Sequence, residues 1–305
     1  MRPPPPGATR RLVCETSAVR LDRLISEQWG PLTRRRTRAI IAAGAVRVNG
    51  HVARKGLALR AGDVVEVDAA ALSDQVPRGE AGLAVGVLVE DAAVLAIDKP
   101  AGMASVALDG ETLGSVANVL LGRAPETAAA GRTPLEAGLV HRLDTGTSGV
   151  LLAARSATAW TALREQFRAR QVDKRYVAWV EGALTRSGAI DIPIAHHPRR
   201  PRVMQVCADP ARARALGARA ARTTYRPLSR RGDATLIEVT IDAGVRHQVR
   251  AHLAALGHPV RGDILYGAGA APRLLLHAAA LRVRHPLDGR WLTIESPLPE
   301  AFSRG

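Results

Sequence analysis

A chain of 305 residues is long for one compact domain, and its 47% apolar content is enough to bury a core, which excludes a disordered protein. Two cysteines, Cys14 and Cys207, exclude a disulfide framework and a cysteine-based zinc site, and no signal-peptide pattern or run of about 18 apolar residues stands out, so we expect a soluble, cytoplasmic protein. The net charge of +15 favours a polyanionic partner, nucleic acid above all.

The first part of the chain divides into three predicted segments. Residues 1–18 open with four consecutive prolines and are predicted to be a disordered tail. Residues 19–68 predict a small α+β domain, with a helix from Leu21, a second helix capped by Thr33, a hairpin that turns at Asn49 and Gly50, and a strand from Val64. Residues 69–84 lack periodicity and are predicted to be a linker.

The second predicted helix is rich in arginine. Arg34, Arg35 and Arg38 can engage successive phosphates, although a solvated helix face is the alternative for any run of charges. The order of L-D-R-L opening, arginine-rich helix, V-N-G hairpin and G-D-V-V-E-V close resembles the small RNA-binding domain first known from ribosomal protein S-four. This resemblance implies that the unit binds RNA through these arginines.

Residues 85–300 show many strand-like runs with few helices between them. Strands are predicted over residues 86–90, 93–97, 150–154, 176–180 and 235–241, and helices over residues 157–169 and around Arg250. Such a pattern is typical of an α+β domain with a mostly antiparallel, mixed sheet.

One carboxylate, that of Asp144, lies in the run H-R-L-D-T-G-T-S-G at positions 141–149, directly before an apolar strand. A carboxylate on a tight turn that leads into a buried strand is held still at a cleft. The alternative is a surface turn whose aspartate caps its own backbone. The segments that decide between them are D-K-P-A-G at 98–102, K-R-Y at 174–176, and G-V-R-H-Q-V-R at 244–250.

Together with G-H-P-V-R-G-D at 257–263, Y-G at 266–267 and L-L-L-H-A at 274–278, these segments are similar in order and spacing to the RluA family of RNA pseudouridine synthases. The resemblance implies the pseudouridine synthase fold and an isomerase of RNA uridines, with large-subunit ribosomal RNA as the expected substrate and transfer RNA as the alternative. It further implies that Asp144 is the catalytic aspartate, Tyr176 the active-site tyrosine, Arg250 the partner of the aspartate, and Arg142 the residue that fills the space left by an extruded base.

The chemistry that the resemblance implies explains these residue types. Uracil is released from ribose, turned, and rejoined through carbon 5, which calls for no metal, cofactor or second substrate. It calls for an ionised carboxylate in a dry pocket, and an arginine within about 4–6 Å stabilises the charged form. Extruding the uridine costs a few kcal/mol, which Arg142 offsets by entering the vacated stack, while Tyr176 stacks on the flipped uracil.

Two further basic residues of the motifs, Lys174 and Arg246, are predicted to contact RNA. Val245 departs from the family, whose members commonly carry an arginine directly after this glycine, and Arg246 follows one residue later. We expect a monomer. Two alternatives stay open: an RNA-binding factor that has lost catalysis, which would lack one of the catalytic side chains, and a glycoside hydrolase, which needs a second carboxylate across the cleft.

The histidines of the motifs are better explained as structural residues than as ligands of a metal ion. His247 and His252 are five residues apart and diverge by about 140° on an ideal helix, which argues against a shared zinc ion. We therefore predict no metal, and we interpret His141 and His247 as structural hydrogen-bonding residues.

Overall fold

The computed structural model describes residues 8–29, 32, 34–72, 77–267 and 271–303, with the backbone alone for residues 34 and 35. These residues form two units, the first over the described residues of 8–72 together with 132–134, and the second over the described residues of 77–131 and 135–303. Within the described ranges, no helix is long and apolar enough to cross a membrane.

The first unit is a small α+β domain. Its elements in chain order are β1 (Thr9–Val13), β2 (Val19–Arg20), α1 (Leu21–Gln28), α2 (Arg34–Ala42), β3 (Val46–Val48), β4 (His51–Val52), β5 (Ala58–Leu59) and β6 (Val64–Asp68). Strands β1, β6, β3 and β4 form one antiparallel sheet in that order. Apolar side chains of α1, α2 and the sheet share a buried core that includes Leu21, Ile25, Ile40, Val46 and Val65.

The predicted helices and hairpin of this unit are confirmed. Asn49 and Gly50 have φ angles of +51° and +79°, the pair of positive values that a tight hairpin turn requires. The Asn49 side chain also holds the start of β6, because its Oδ1 accepts from the Val64 N–H at 2.8 Å. Thr33, the predicted cap of α2, lies outside the described residues.

The prediction of a disordered tail over residues 1–18 is wrong for residues 9–13. Strand β1 pairs with β6 in antiparallel register, from Thr9 opposite Asp68 to Val13 opposite Val64. Most β1 side chains are exposed, so the sequence of this segment has no apolar alternation from which a strand could be predicted. Backbone pairing, rather than side-chain burial, holds this segment in the sheet.

The predicted linker also contains structured residues. Ala69 and Leu72 are buried in the first unit. Residues 77–84 belong to the second unit, where the Glu80 N–H donates to the carbonyl oxygen of Asn118 at 2.8 Å. The boundary between the units therefore falls inside the segment predicted as linker.

The second unit contains a large mixed sheet with helices packed on it. Its elements are β7 (Gly86–Glu90), β8 (Val94–Lys99), α3 (Val116–Arg123), β9 (Ser148–Ala154), α4 (Ala157–Arg168), β10 (Asp173–Glu181), β11 (Gly188–Asp191), β12 (Ile194–His196), β13 (Met204–Val206), α5 (Pro210–Ala215), β14 (Arg222–Arg231), β15 (Ala234–Ile241), α6 (Gln248–Ala255), β16 (Leu276–Arg284) and β17 (Trp291–Glu295). The strand order is β11-β14-β15-β10-β16-β9-β8-β7, with β17 on β16. Only the β16–β9 pairing within this described sheet is parallel, which confirms the predicted α+β class with a mostly antiparallel sheet.

Strand β9 anchors the turn that carries Asp144. All seven of its residues are buried, with Val150 and Leu152 in one core and Leu151 and Ala153 in another. A strand buried on both faces has a continuous apolar sequence, as seen here. At its start, Gly149 has a φ of +112°, and a Cβ there would overlap the carbonyl oxygen of Ala278 on β16. The turn thus enters the sheet through a position that only glycine fits.

Candidate active site

The backbone around Asp144 is fixed from both sides. Ser105 Oγ donates to the carbonyl oxygen of Leu143 at 2.8 Å and accepts from the Leu143 N–H at 3.1 Å. After the aspartate, the Gly102 N–H donates to the carbonyl oxygen of Thr145 at 2.8 Å. These bonds hold the turn without using the Asp144 carboxylate, which is left to face other side chains.

Arg250, on α6, joins two carboxylates. Its Nη1 donates to Asp144 Oδ2 at 3.0 Å, while Nε and Nη2 donate to the two oxygens of Asp263 at 2.7 and 2.8 Å. Burial alone would lower the pKa of Arg250, but its hydrogen bonds and charge contacts with Asp263 and Asp144 raise it above the usual range. The guanidinium is therefore a fixed positive charge that orients Asp144. The capping alternative for Asp144 is not what the structure shows.

Asp263 is a site residue to which the sequence assigned no function. It is 1% exposed, and its Oδ1 also accepts from the Leu265 N–H at 3.0 Å. A buried arginine on α6 needs a carboxylate partner, and that need is the signal that could have identified Asp263.

A glycoside hydrolase requires a second carboxylate that reaches the substrate. Asp263 is instead buried behind Arg250, so the glycoside hydrolase alternative loses its support.

The three predicted catalytic residues meet at one cavity. Asp144, Tyr176 and Arg250 line a space of about 250 Å³. Tyr176 follows a register shift in the pairing of β10 with β16, a feature that redirects side chains. Burial, reinforced by the negative charge of Asp144, raises the pKa of Tyr176 above its usual range, so its phenol stays protonated. Arg142 and Arg246, both exposed, line the same cavity.

Lys99 is a second residue that the sequence interpretation missed. It is 0% exposed at the end of β8, and its ammonium donates to the carbonyl oxygens of Pro100, Met103 and Thr145 at 2.9, 2.7 and 3.1 Å. Burial lowers the pKa of Lys99 to about 8, although the charge of Asp144 opposes the shift. The side chain thus ties β8 and the loop after it to the residue that follows Asp144.

Replacing Lys99 with methionine is expected to destabilise the protein by about 1–3 kcal/mol at pH 7, because buried carbonyl groups lose their donor. The pKa of about 8 in the folded chain lies below the ordinary value near 10.5, so the folded chain binds fewer protons than the unfolded chain between these values. The contribution of Lys99 to stability therefore rises with pH in that window, and the deficit of the variant is larger at pH 10 than at pH 7. Urea unfolding at both pH values measures it; an equal or smaller deficit at pH 10 would contradict the expectation.

The structure corrects the interpretation of Lys174 as an RNA contact. This side chain is 6% exposed, and its ammonium donates to the carbonyl oxygens of Asp242 and Ala243 at 3.2 and 3.1 Å. Burial lowers its pKa to about 8. Lys174 therefore supports the loop that leads to Gly244. A compact ammonium with three donors suits converging carbonyl groups better than a planar guanidinium does, which explains why lysine stands at positions 99 and 174 of this arginine-rich chain.

The arginines predicted to bind RNA in the first unit lie on α2. Arg38 is exposed, and α2 begins at Arg34, but the side chains of Arg34 and Arg35 lie outside those described. Their neighbour Arg36 donates instead to the carbonyl oxygen of Ala71 at 2.9 Å.

The two motif histidines differ in their surroundings. His141 Nε2 accepts from the Leu152 N–H at 3.1 Å and the ring stacks on Phe167, which confirms the structural interpretation of His141. Burial lowers the pKa of His141 to about 3, so this ring is neutral. His247 is different, because its Nε2 lies 3.8 Å from Asp144 Oδ1 and its Nδ1 lies 3.0 Å from the Tyr266 hydroxyl.

Comparison with known proteins agrees with this geometry. A family model described as RNA pseudouridylate synthase matches residues 93–255, and an S4 domain model matches residues 19–65. The chain is 37% identical over 316 residues to ribosomal large subunit pseudouridine synthase D of Xanthomonas campestris, covering 98% of this chain and 92% of that protein. The protein of the same name from Nitrosomonas europaea is 33% identical, with 93% and 82% covered.

A solved structure, that of human RNA pseudouridylate synthase domain containing 4, shares 26% identity and a TM-score of 0.55, covering 72% of this chain and 90% of that one. The large mixed sheet of the second unit is thus the pseudouridine synthase fold. With its S4 domain and its catalytic unit, the chain belongs to the RluA family of RNA pseudouridine synthases, enzymes that isomerise uridine in RNA.

Proposed function

We propose that the substrate of this enzyme is large-subunit ribosomal RNA and that Asp144 performs the isomerisation. The observation that carries the proposal is the Asp144 carboxylate, oriented by Arg250 at the wall of the cavity that Tyr176 also lines. The choice of RNA rests on the relatives whose names state a ribosomal large-subunit substrate.

In the proposed reaction each oxygen of Asp144 has its own part. Oδ2 accepts from Arg250, so Oδ1 is the oxygen that faces the ribose and uracil. It adds to the nucleoside or assists cleavage of the bond between ribose carbon 1 and uracil nitrogen 1. The released base turns and joins ribose through carbon 5, which loses its proton while nitrogen 1 gains one, so no atom is added or removed. The protonated phenol of Tyr176 stacks on the uracil within reach of this proton transfer.

Extrusion of the uridine falls to Arg142. The residue is exposed, two positions before Asp144, and lines the cavity at its opening. A guanidinium that enters the stack vacated by the base offsets part of the few kcal/mol that flipping costs. Arg246, exposed at the same cavity, is assigned to a phosphate close to the flipped nucleotide.

A basic groove continues from the cavity and is assigned to the flanking RNA strand. Its volume is about 840 Å³, and it shares Arg142 and Tyr176 with the cavity. Arg170 and Arg219 line it together with the indole of Trp160. Guanidinium groups beside an aromatic ring are suited to phosphates and an unstacked base.

The first unit is expected to add phosphate contacts of its own. Deleting residues 1–76 should weaken RNA affinity and flatten its salt dependence, because each lost contact removes about 0.7–0.9 from the slope of log affinity against log salt. Filter binding between 50 and 300 mM salt measures the slope, with the melting temperature of the remaining unit as the folding control. An unchanged slope would show that this unit does not bind RNA.

We assign the enzyme to the cytoplasm as a monomer. One chain supplies Asp144, Tyr176 and Arg250, the three residues to which catalysis is assigned. Ribosomal RNA, the proposed substrate, is found in that compartment of a bacterial cell.

Mapping of pseudouridine in a strain that lacks the gene tests the proposal. We expect at least one large-subunit ribosomal RNA position to lose its modification, to regain it with the wild-type gene, and not to regain it with Asp144→Ala. Loss confined to transfer RNA would overturn the substrate. Restoration by Asp144→Ala would overturn the function of Asp144, and no lost modification in any RNA would overturn the proposal as a whole.

A further inference from the structure

We propose that His247 is a positioning residue that holds the reacting oxygen of Asp144 through its Nε2–H, and that the hydroxyl of Tyr266 fixes the tautomer of the imidazole that does so. The inference rests on the catalytic function proposed for Asp144 and adds to it a second donor, opposite Arg250. Three observations carry it: the fixed loop, the hydrogen-bond order at Nδ1, and the position of Nε2.

The loop that presents His247 is supported by hydrogen bonds from the side chain of the next residue. His247 precedes α6 with a φ of +54°, a left-handed conformation that is uncommon outside glycine. Gln248 supports it, because its Oε1 accepts from the N–H groups of Gly244 and Val245 at 3.0 and 3.1 Å, while its Nε2 donates to the carbonyl oxygen of Arg222 at 2.8 Å. Strained backbone that its surroundings hold in this way is typical of functional sites.

The hydrogen bonds of Tyr266 set the proton position on the ring. The Met204 N–H donates to the Tyr266 hydroxyl oxygen at 2.7 Å, and His247 Nδ1 lies 3.0 Å from the same oxygen. The Met204 N–H occupies one lone pair of the hydroxyl oxygen, and in the proposed arrangement the hydroxyl proton of Tyr266 is donated to Nδ1, which accepts. A neutral imidazole that accepts at Nδ1 carries its proton on Nε2.

The Nε2–H faces the oxygen of Asp144 that Arg250 leaves unused. Nε2 lies 3.8 Å from Oδ1, whereas Arg250 bonds Oδ2 at 3.0 Å. This separation is longer than a hydrogen bond, and a small rotation of the carboxylate closes it when substrate occupies the cavity. The two donors together define the plane of the carboxylate.

The ring is suited to this task because it is uncharged. Burial, together with the charges of Arg250 and Arg246, lowers the pKa of His247 to about 4, against the opposing charges of Asp144 and Asp263. A neutral donor orients the carboxylate and leaves its negative charge in place. A second cation would neutralise that charge.

A pair of substitutions at His247 separates donation from bulk. His247→Ala should lower the single-turnover rate constant about 10–100-fold, the loss of one hydrogen bond to a charged group, with RNA affinity unchanged. His247→Gln, whose amide N–H reaches the same place, should recover most of the rate. Equal rates for the two variants, fast or slow, would overturn the proposal. Asp144→Ala is assayed alongside; activity there would overturn the proposed function of Asp144 instead.

The tautomer of His247 can be measured directly in the full chain by nitrogen-15 NMR. This measurement does not require any His247 variant to be active. With ¹⁵N-labelled histidine, and His247→Gln to identify the signals, the wild-type ring should show a proton on Nε2. Tyr266→Phe should shift the ring toward the Nδ1–H form and slow the reaction, whereas the matched loss of a hydroxyl in Tyr225→Phe should do neither. A wild-type ring protonated on Nδ1 would overturn the proposal, as would an unaffected rate in Tyr266→Phe.

Discussion

Replacing Asp144 with asparagine is expected to lower the rate of pseudouridine formation by at least about 10⁴-fold, with RNA affinity within a few-fold of the wild type. Asparagine keeps the shape of the side chain and an oxygen for Arg250 Nη1, which bonds Oδ2 at 3.0 Å in the wild type. It removes the negative charge that reacts. Release of tritium from RNA labelled at carbon 5 of uracil measures the rate, because that position loses its hydrogen only when the base rejoins ribose.

The matched control for this prediction is Asp173→Asn, at the exposed start of β10. It makes the same chemical change away from the cavity, so its rate should stay within about twofold of the wild type. A rate for Asp144→Asn above about one hundredth of the wild type, in protein shown by mass spectrometry to have kept the amide, would contradict the assignment of Asp144 as the reacting group.

The sequence predicts those parts of the fold whose signal is local. The apolar run of β9 and the Asn49–Gly50 turn are visible in a few neighbouring residues, because burial on both faces and positive φ angles constrain residue type directly. Strand β1 has no such signal, since backbone pairing with β6 places it in the sheet while its side chains remain exposed.

In the candidate site, the residues that could be predicted are those to which a sequence motif assigns a function. Asp144, Tyr176 and Arg250 were placed together by resemblance, and the structure brings them to one cavity. The groups that surround them depend on long-range contacts that no spacing reveals. Lys99 bonds a carbonyl group 46 residues later in the chain. Asp263 reaches Arg250 only because the loop after α6 folds back on that helix. Both residues stand in recognised motifs, yet their function follows from geometry alone.

For Lys174 the error is of the opposite kind, because the basic composition of the chain led to the prediction of an RNA contact that the structure does not support. In a basic chain, a lysine two residues before Tyr176, the predicted active-site tyrosine, suggests a phosphate contact. In the structure the ammonium is satisfied by two carbonyl groups near Gly244 and is withdrawn from the surface. Charge counted along a sequence therefore overestimates the charge available to RNA, because part of it serves the interior.

Replacing Arg250 with leucine is expected to destabilise the protein by about 3–5 kcal/mol as well as to abolish activity, because it leaves Asp263 buried without a cationic partner. Asp263 is 1% exposed and receives two hydrogen bonds from Arg250, at 2.7 and 2.8 Å. The double variant Arg250→Leu/Asp263→Asn removes that uncompensated charge and keeps an acceptor for the Leu265 N–H. It should recover at least half of the lost stability and none of the activity, since Asp144 still lacks its donor.

Urea unfolding and the tritium-release assay, applied to the same preparations, separate these two effects. Arg226→Leu is the control for removing an arginine from an exposed ion pair: its Nη2 lies 3.0 Å from Glu238 Oε1, and its loss should cost no more than about 1 kcal/mol. A double variant as unstable as Arg250→Leu alone would show that the unpaired charge of Asp263 is not what destabilises it. Recovered activity in the double variant would show that Asp144 reacts without Arg250. Stability restored without activity is the result expected if Arg250 has two separable functions, neutralising Asp263 in the interior and orienting Asp144 toward the uridine.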